Sequence, residues 1–551
     1  MKKILIIGGV AGGASFAARM RRLDENAQII MFDKGDYISF ANCGLPYYIG
    51  NTIKEREHLI IQTPEKFNAR FGIDVRTGSE VTKVSPAEKK ITVKTKTGTY
   101  EETYDYLLLA PGCTPARPPV PGIDSPKVRT LRTIPDTDTI RTMVDNGGIQ
   151  RAVVIGGGFI GLEMAEELRH RSVDVTLVEL LDQVFAPADF EMADPLHHHL
   201  IHKGVRLLLG HGVKQIVDSA DTEDASVILD DGEKVNADLV ILAIGVKPDT
   251  AFLRGTDISL SDRGAIIVDD HMKTSIADIY AAGDAVEVTD FISGVKTLIP
   301  LAGPANRQGR IAADNVAGLD TVYRNTQGTA ICKIFDLTTA VTGINEKSAQ
   351  RLKIPYQKSY THSASHASYY PGAHPLSIKI LFSPDTGKLL GAQVVGKDGV
   401  DKRIDIFATA LRHGLTVYDL SELELAYAPP FGSAKDPVNI AGFTAQNIIE
   451  KRMPVFFADE VSTLDPDRQV LLDVRTAGEF RQGTIPGAKL IPVDDLRNRL
   501  SELDNSKEIM VFCQVGLRGY LATRILLQHG FAAKNLSGGF KTWSATKYGS
   551  Q

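Results

Sequence analysis

Two of the four cysteines lie in segments whose neighbours could support chemistry. Cys43 stands in Ser-Phe-Ala-Asn-Cys-Gly-Leu-Pro-Tyr, and Cys513 opens the loop Cys-Gln-Val-Gly-Leu-Arg, which ends at Arg518. The chain has no Cys-x-x-Cys pair, and residues 38–48 contain no cysteine besides Cys43, so an internal dithiol cannot form there. The oxidised form of Cys43 must therefore be a mixed disulfide with a small thiol, a persulfide or a sulfenic acid.

The sequence predicts that each cysteine lies just before a helix, a position that favours a reactive thiol. Pro46 suits the first turn of a helix that starts after Cys43, and a helix N-terminus stabilises a thiolate. After Cys513, successive backbone N–H groups and the next helix can cradle an anion or a persulfide sulfur. Arg518 adds positive charge, so the thiolate of Cys513 is expected to be favoured as well.

A buried strand, a glycine-rich turn and a helix occur twice, which predicts two βαβ units that bind dinucleotides. The first turn is Gly8 to Gly13, and its following strand ends at Asp33; the second is Gly156 to Gly161, with a strand ending at Glu179. The glycines permit the turn and the approach of a pyrophosphate, and the acid binds ribose hydroxyls. Val10 replaces the expected middle glycine, so the first match is the looser one.

A third segment, Thr274 to Ala285, contributes another carboxylate through its Ala-Gly-Asp sequence. The pattern indicates a strand end just before a helix, where Asp284 would either contact the sugar-like chain of a cofactor or cap the helix. The two glycine turns favour the cofactor role. With one thiol beside a redox cofactor and another suited to hold sulfur, the sequence suggests that sulfur is moved and then reduced.

Length and composition indicate a multidomain globular protein. The 551 residues are too many for one hydrophobic core and predict about three or four domains. A net charge of -5 gives no reason to expect nucleic acid or an acidic membrane as a partner, and no apolar run is long enough to span a bilayer. Glycines break the N-terminal apolar run, which favours a first strand over a secretion signal. The unpaired cysteines fit a reducing cytoplasm rather than a disulfide framework or structural zinc site.

Residues 1–450 resemble the single-cysteine branch of the FAD-dependent pyridine nucleotide-disulfide oxidoreductases. The segment from Ser39 to Tyr47 is very similar to the active-site segment of coenzyme A disulfide reductases. The similarity continues in Tyr-Tyr-Pro-Gly from Tyr369 and in Ala-Tyr-Ala-Pro-Pro-Phe-Gly-Ser-Ala-Lys from Ala426. The resemblance implies FAD in the first unit, NADH or NADPH in the second, coenzyme A as a ligand and a homodimer.

Residues 461–551 resemble rhodanese-type sulfurtransferases. The similar segments are Leu472 to Arg475, Gly483 to Ala488 and Ser537 to Trp543. The loop that starts at Cys513 has the length that suits sulfur, whereas related phosphatase loops are typically one residue longer. An inactive, regulatory rhodanese is the alternative, and the intact cysteine argues against it.

The two resemblances together imply the fold class and the domain order. The protein is expected to be α/β, with two Rossmann-like nucleotide-binding domains plus an α+β dimerisation domain, followed by a C-terminal rhodanese α/β domain. The implied boundaries are 1–150 and 271–325 for the FAD-binding domain, 151–270 for the NAD(P)H-binding domain, 326–450 for the dimerisation domain, 451–460 for a linker and 461–551 for the rhodanese domain.

The motifs and the resemblances together give the predicted site residues. Catalytic roles are assigned to Cys43, Cys513, Tyr369, Tyr427 and Arg518. Tyrosines of the partner subunit approach the cysteine in the family; Tyr427 matches one, and Tyr370 is the alternative to Tyr369 for the other. The predicted FAD contacts are Gly8, Gly9, Val10, Ala11, Gly12, Gly13, Asp33, Lys34, Ala110, Gly112, Gly283, Asp284 and Ala302. The predicted NAD(P)H contacts are Gly156, Gly158, Phe159, Ile160, Gly161, Glu179 and Gly245. The predicted coenzyme A contacts are Ser15, Arg19, Arg22, Ser39, Asn42, Arg307 and Lys435.

The histidines and the two remaining cysteines are not assigned to a site. His197, His198 and His199 are consecutive, so on a helix they point about 100° apart and cannot converge on one metal. His362 and His366 have i, i+4 spacing, but their serine-rich surroundings make a helix doubtful, and no metal site is predicted. Cys113 and Cys332 are expected to be structural.

The predicted function is an FAD-dependent NAD(P)H reductase of coenzyme A persulfide, polysulfide or coenzyme A disulfide. Cys43 would attack the S–S bond, and Cys513 would relay sulfane sulfur as a persulfide. Glu179 has no arginine close behind it, which favours NADH because the 2'-phosphate of NADPH would meet a carboxylate. The main alternative is a single-cysteine NADH oxidase or peroxidase, whose relatives usually have a histidine near the position of Val10. A redox sensor acting through Cys43 is the other, although no DNA-binding module is evident.

Overall fold

The structure is a computed structural model, and it describes residues 1–218 and 225–546. The chain forms two compact units. One contains Met1–Asp182 and Gly204–Gly328, and the other contains Gln183–Lys203 and the described residues from Thr329 onward. Sheets and helices alternate in both, so the predicted α/β class is confirmed. In the described part of the chain, none of the helices has the length and apolarity needed to cross a bilayer.

The first unit begins with a parallel sheet that leads into the first glycine turn. Its strands, in spatial order, are Ile279–Ala281, Tyr106–Leu109, Lys3–Ile7, Gln28–Phe32 and Asp74–Arg76. The central strands are buried runs of Ile, Leu and Phe, as a parallel sheet requires. Helix Ala11–Leu23 follows the turn and packs on helix Ala302–Val316. Gly309 allows this close approach, because a Cβ there would lie 2.2 Å from the carbonyl oxygen of Gly12.

A second parallel sheet leads into the second glycine turn and helix Phe159–His170. Its strands are Arg206–Leu209, Asp174–Glu179, Arg151–Ile155, Leu239–Leu242 and Val128–Arg129. Strand pairing and core packing extend across the predicted boundaries of the second nucleotide-binding domain. Val128–Arg129 precedes residue 151 yet joins this sheet, and Ile258 and Ile266 precede residue 271 yet lie in the core of the first sheet. The order of motifs along the chain does not reveal these contacts.

Smaller elements complete the first unit. Two three-stranded antiparallel sheets consist of Glu80–Ser85, Lys90–Thr95 and Gly98–Thr103, and of Val213–Asp218, Ala225–Leu229 and Lys234–Ala237. Two strand pairs are Cys113–Pro115 with Val246–Pro248 and Val288–Thr289 with Lys296–Thr297. The remaining α-helices are Leu45–Ile49, Pro64–Phe71 and Ile134–Asp145.

The second unit contains an antiparallel sheet. Its strands are Ala330–Ile334, Leu337–Gly343, Leu389–Gly396, Pro375–Phe382 and Gln357–Ala364. The α-helices around it are Phe190–His202, Glu346–Leu352, Val400–Arg412, Val417–Glu422 and Pro437–Ile449. The ammonium of Lys379 is fully buried and lies 2.8 Å from Asp189, 2.5 Å from Glu191 and 2.6 Å from Glu346. These carboxylates outweigh the effect of burial and raise the pKa of Lys379 well above its ordinary value.

A parallel sheet forms the C-terminal part of the second unit. Its strands are Val455–Phe456, Ala533–Leu536, Glu508–Phe512, Gln469–Asp473 and Lys489–Leu490. Its α-helices are Ala477–Arg481, Val493–Leu496, Leu517–Gln528 and Gly539–Ser544. Within the predicted linker 451–460, Val455–Phe456 pairs with Ala533–Leu536, and Phe456 is fully buried.

Candidate active sites

The first glycine of each turn adopts a backbone conformation that side chains rarely tolerate. Gly8 has φ 96°, and a Cβ there would lie 2.1 Å from the carbonyl oxygen of Ala110. Gly156 has φ 107°, and its Cβ would lie 2.5 Å from the carbonyl oxygen of Ala243. The last glycine of the second turn, Gly161, lies against the turn itself, since its Cβ would be 1.8 Å from the carbonyl oxygen of Gly156. Only glycine fits these positions.

The acid at the end of each following strand accepts an N–H from the glycine turn. Asp33 accepts the N–H of Gly9 at 2.8 Å, and Glu179 accepts the N–H of Gly157 at 2.6 Å. The other oxygen of Glu179 accepts the N–H of Leu181 at 2.8 Å. Burial raises the pKa of Asp33, and its backbone donors partly offset that effect. Both carboxylates are thus held beside a turn, where a ribose hydroxyl could reach them.

The middle position of each turn explains how Val10 is tolerated. A Cβ added at Gly158 would have no described atom within 4 Å, so the second turn leaves open space that a pyrophosphate can fill. Val10 has φ -98°, an ordinary value for a side chain, and precedes helix Ala11–Leu23. The valine in the first turn therefore does not need the left-handed conformation that favours glycine.

Asp284 lies at the end of the first sheet, but the described residues after it do not form the expected helix directly. The next described helix begins at Ala302, so the capping role considered for Asp284 is wrong. Burial raises the pKa of Asp284, and Arg132, 3.8 Å away, opposes this rise. Gly112 and Gly283 have φ 69° and 93°, backbone conformations that favour glycine. These residues fit the predicted cofactor role, which stays a prediction.

Cys43 lies in a short turn, Asn42–Gly44, directly before helix Leu45–Ile49. The residue is exposed and its thiol is free. Partial desolvation of the sulfur raises the pKa of Cys43, and the carboxylates of Glu163 and Asp284 raise it further, while Arg132 lowers it. Burial and nearby negative charge thus act against the thiolate, and its stabilisation by the helix stays a prediction.

Glu163 is an acid near Cys43 that the motifs did not point to, although it lies on the helix after the second turn. It accepts a hydrogen bond from the hydroxyl of Tyr47 at 3.2 Å. Burial raises the pKa of Glu163 to about 7, against the effect of Tyr47. Glu163 can thus hold or release a proton near neutral pH, within electrostatic reach of the Cys43 thiol.

The predicted coenzyme A contacts occupy several positions, and six of them belong to the first unit. The hydroxyl of Ser15 donates to Asn306 at 2.7 Å, and Arg19 pairs with buried Asp314 at 2.6 Å. Both contacts join helices Ala11–Leu23 and Ala302–Val316, so Arg19 already has a structural partner. The exposed residues among the predicted contacts are Arg22, Arg307 and Lys435, the last in the second unit.

Ser39 and Asn42 adjoin both the first turn and Cys43. The N–H of Ser39 donates to the carbonyl oxygen of Gly9 at 2.9 Å, and Ser39 has φ 44°, an uncommon value for serine. Within the described residues, the buried side-chain oxygen of Asn42 has no hydrogen-bond donor. An unsatisfied acceptor next to a thiol suits a ligand that brings its own donor.

Two predicted tyrosines of the second unit meet at their hydroxyl groups. The oxygens of Tyr369 and Tyr427 are 2.9 Å apart, and the two side chains are 74% and 48% exposed. Tyr370 instead packs edge-on against His366, with ring centroids 5.7 Å apart. The pairing favours Tyr369 over Tyr370 as the partner of Tyr427. Because one hydroxyl donates to the other, one O–H is left for a third group.

Cys513 is fully buried at the end of strand Glu508–Phe512 and before helix Leu517–Gln528. The N–H of Gly516 donates to its sulfur at 3.1 Å. Gly516 has φ 103°, which turns the loop so that this N–H faces inward. The predicted cradle of backbone donors around the sulfur is thus present in part, and it can stabilise an anionic sulfur.

The positive charge expected at Arg518 does act on Cys513, but Arg518 is also paired with a carboxylate. Its two terminal nitrogens lie 2.7 and 2.6 Å from the carboxylate oxygens of Glu479. Glu479 also accepts from the N–H and hydroxyl of Thr476, as the acid of a capping box for helix Ala477–Arg481. The sequence does show Glu479 three residues after Thr476, the spacing of a capping box. That spacing does not reveal that Glu479 also pairs with Arg518, which is 39 residues away.

The C-terminal sheet is held against the antiparallel sheet next to the Cys513 loop. Helix Gly539–Ser544 lies between the loop and the antiparallel sheet. Towards the loop, the N–H of Phe540 donates to the carbonyl oxygen of Cys513 at 2.8 Å. On the same helix, the hydroxyl of Thr542 lies 2.9 Å from Nε2 of His362, whose Nδ1 lies 2.9 Å from the hydroxyl of Ser377. His362 lies on strand Gln357–Ala364 and not on a helix.

The fold and the sites define a class of protein: an oxidoreductase with two dinucleotide turns, one exposed lone thiol and a second thiol in a separate anion-holding loop. Residues 2–309 match the family described as pyridine nucleotide-disulphide oxidoreductase, and residues 329–437 match the dimerisation domain of that family. Residues 457–546 match the rhodanese-like domain.

Relatives and solved structures agree with this class. Coenzyme A disulfide reductase of Staphylococcus epidermidis is 36% identical over 449 residues, which cover 81% of this chain and 100% of that protein. The crystal structure of reduced Bacillus anthracis CoADR-RHD is 48% identical with a TM-score of 0.96, covering 99% of this chain and 98% of that one. The NAD-dependent persulfide reductase from A. fulgidus is 36% identical with a TM-score of 0.92, covering 98% and 100%.

The chain therefore belongs to the pyridine nucleotide-disulphide oxidoreductase family and carries a rhodanese-like domain. This confirms the family and the fold class that the sequence motifs indicated. The roles of the individual site residues and the domain boundaries remain predictions.

Proposed function

We propose that this protein uses NADH to reduce coenzyme A persulfide or coenzyme A disulfide at Cys43, and that Cys513 delivers sulfane sulfur. The observation that carries the proposal is the contrast between the two thiols. Cys43 is exposed and has no second cysteine beside it, whereas Cys513 is buried with a backbone N–H directed at its sulfur. The names of the similar proteins, a coenzyme A disulfide reductase and an NAD-dependent persulfide reductase, support it.

The chemistry at Cys43 needs one thiolate and one proton donor. The thiolate attacks the S–S bond of the substrate, which breaks and releases either coenzyme A thiolate or hydrosulfide. The sulfur that stays on Cys43 forms a mixed disulfide or a persulfide. Glu163, whose pKa is about 7, is suited to protonate the departing sulfur. Overall, one coenzyme A persulfide, one NADH and one proton give coenzyme A, hydrogen sulfide and NAD⁺.

FAD would be held by the first glycine turn and Asp33, and NADH by the second turn and Glu179. Bound FAD supplies the path by which the electron pair of NADH reaches the disulfide at Cys43. The chain's own residues orient both cofactors, because the two acids are anchored by backbone N–H groups of their turns. NADPH is the less favoured donor, since its 2'-phosphate would meet Glu179.

Coenzyme A would be bound by basic and polar groups near Cys43. Arg22 and Arg307 are exposed cations on neighbouring helices, and Asn42 offers a buried acceptor without a donor among the described residues. The Tyr369 and Tyr427 pair would serve the Cys43 of a partner subunit in a homodimer, with one O–H free for the substrate sulfur. Two reactive thiols imply a reducing compartment such as the cytoplasm.

Anaerobic NADH oxidation with coenzyme A persulfide and with coenzyme A disulfide tests the proposal. Cys43→Ser should abolish turnover and sulfide release with both substrates, whereas Cys513→Ser should reduce turnover only with polysulfide donors. Cys332→Ala, which changes a buried cysteine away from both loops, serves as the control. NADH oxidation that requires oxygen or peroxide and ignores both substrates would establish the oxidase or peroxidase alternative instead.

A further inference from the structure

The arginines at the Cys513 loop are both paired with carboxylates. Arg518 makes its two-point contact with Glu479 at 2.7 and 2.6 Å. Arg475 is buried and contacts Asp473 at 2.8 Å. Lys541 is a third cation of this region, but burial lowers its pKa, and its charge acts on His362. Among the described residues, the loop therefore has no arginine charge available for a second negative group on an incoming substrate.

Glu479 is held firmly in its pairing position. One of its oxygens accepts the N–H of Thr476 at 3.0 Å and the hydroxyl of the same residue at 2.9 Å, in addition to one Arg518 nitrogen. The hydrogen bond from Arg518, together with the Thr476 donors, lowers the pKa of Glu479 to about 2. The carboxylate thus stays ionised across the physiological range, and its charge permanently offsets that of Arg518.

The surface beside the loop is apolar. Leu517 and Leu521 lie one turn apart on helix Leu517–Gln528, so they share a face, and their side chains are 67% and 48% exposed. Leu517 is also part of the loop that begins at Cys513. The first turn of the helix after the loop therefore offers exposed apolar groups, which suit an alkyl group next to the transferred sulfur.

We propose that Glu479 determines the sulfur donor of Cys513, selecting alkyl persulfides over thiosulfate by neutralising Arg518. This rests on the sulfurtransferase role proposed for Cys513. The Cys513 thiolate attacks the outer sulfur of R–S–SH, the S–S bond breaks, and the thiolate RS⁻ leaves, so sulfane sulfur moves without net oxidation or reduction. The same attack on thiosulfate releases sulfite, whose charged oxygens need a free cation that the Glu479–Arg518 pair does not offer.

The test measures persulfide formation on Cys513 by mass spectrometry in the full chain carrying Cys43→Ser, without oxygen. The two donors are thiosulfate and the persulfide of N-acetylcysteamine, an uncharged alkyl thiol. Glu479→Gln preserves the capping interaction with Thr476 but removes the charge that neutralises Arg518. The control is Glu502→Gln, which breaks a comparable two-point pair with Arg499, at 2.6 and 2.9 Å, elsewhere in the same sheet domain.

In the Cys43→Ser protein, the alkyl persulfide should react at least about tenfold faster than thiosulfate. Glu479→Gln should raise the ratio of the thiosulfate rate to the alkyl persulfide rate by about tenfold, as expected for one recovered charged hydrogen bond. Glu502→Gln should leave that ratio unchanged. Equal or faster reaction with thiosulfate in the Cys43→Ser protein overturns the inference, and this result stands even if Glu479→Gln fails to fold.

An unchanged ratio in a folded Glu479→Gln protein also overturns the inference, since the charge of Arg518 would then have no influence on the donor. In both of these outcomes Cys513 still becomes persulfidated, so the proposed sulfur relay survives. If neither donor modifies Cys513, the proposed relay itself fails, and the inference about its donor fails with it.

Discussion

Acidification should loosen the contact between the C-terminal sheet and the antiparallel sheet, because His362 must stay neutral there. The imidazole is partly buried, and its two nitrogens lie 2.9 Å from the hydroxyls of Ser377 and Thr542. Burial, aided by the cation of Lys541, lowers the pKa of His362 to about 3, although a backbone hydrogen bond with Gly538 acts the other way. Among the described residues, the groups that dominate this pKa include no carboxylate.

The size of the effect follows from the difference between the folded and the ordinary pKa. Because the folded pKa of His362 is depressed from 6.5 to about 3, its neutral form adds stability that is complete above pH 6.5. That stability is lost as the pH falls towards 3. The pH 5.5 condition is one unit below the ordinary pKa of histidine. The free energy of unfolding therefore falls by about 1.4 kcal/mol at that pH, which is about a tenfold rise in the unfolded population.

Fluorescence of Trp543 provides a direct assay, since it is the only tryptophan and lies in helix Gly539–Ser544 next to Thr542. Urea unfolding is followed by this signal at pH 7.5 and pH 5.5 in the native protein and in His362→Gln. Glutamine can keep one hydrogen bond to Thr542 but does not titrate. The free energy of unfolding should fall by about 1.4 kcal/mol more in the native protein than in the variant.

Equal losses in the native protein and the variant would refute the reasoning, because the pH dependence would then come from other groups. A smaller free energy of unfolding for His362→Gln at pH 7.5 is compatible with the prediction, since glutamine replaces only one of the two hydrogen bonds. Only the difference between the two pH values decides the question.

Three further predictions concern the buried charges and the nucleotide turns. Lys379→Met should lower the free energy of unfolding by about 3–5 kcal/mol in urea titrations, because Asp189 and Glu191 lose their cation and Glu346 keeps only Lys358, and the loss should shrink at low pH. Gly161→Ala should lower the free energy of unfolding by about 3 kcal/mol in the same assay, since its Cβ would lie 1.8 Å from an oxygen of Gly156. Gly158→Ala places its Cβ in open space and should lower that free energy by less than about 1 kcal/mol. Glu179→Gln should raise the NADPH to NADH ratio of kcat/KM by about tenfold in steady-state kinetics, because it removes a like charge near the 2'-phosphate; an unchanged ratio would place that phosphate elsewhere.

Local sequence determined much of the fold around the sites. Gln28–Phe32 forms the strand that its apolar run predicts, and the first glycine of each turn adopts a φ value that only glycine readily tolerates. The lone position of Cys43 and the loop after Cys513 were equally readable, because a missing dithiol partner and a short strand-to-helix loop are properties of neighbouring residues. Such features depend on backbone sterics and on spacing within a few residues.

Tertiary structure alone decided the electrostatics of both thiols. Glu163 lies near Cys43 although it is 120 residues further along the chain, a separation about as long as a whole domain. Glu479 contacts Arg518 from another helix. His362, on a strand of the antiparallel sheet, contacts Thr542 on a helix of the C-terminal part. Charge and hydrogen bonding act over a few ångströms in space and not along the sequence, so the partner of each group depends on how the strands are ordered. The sequence by itself thus determined which groups can react, and the packing of distant elements decided how strongly each is charged, shielded or paired.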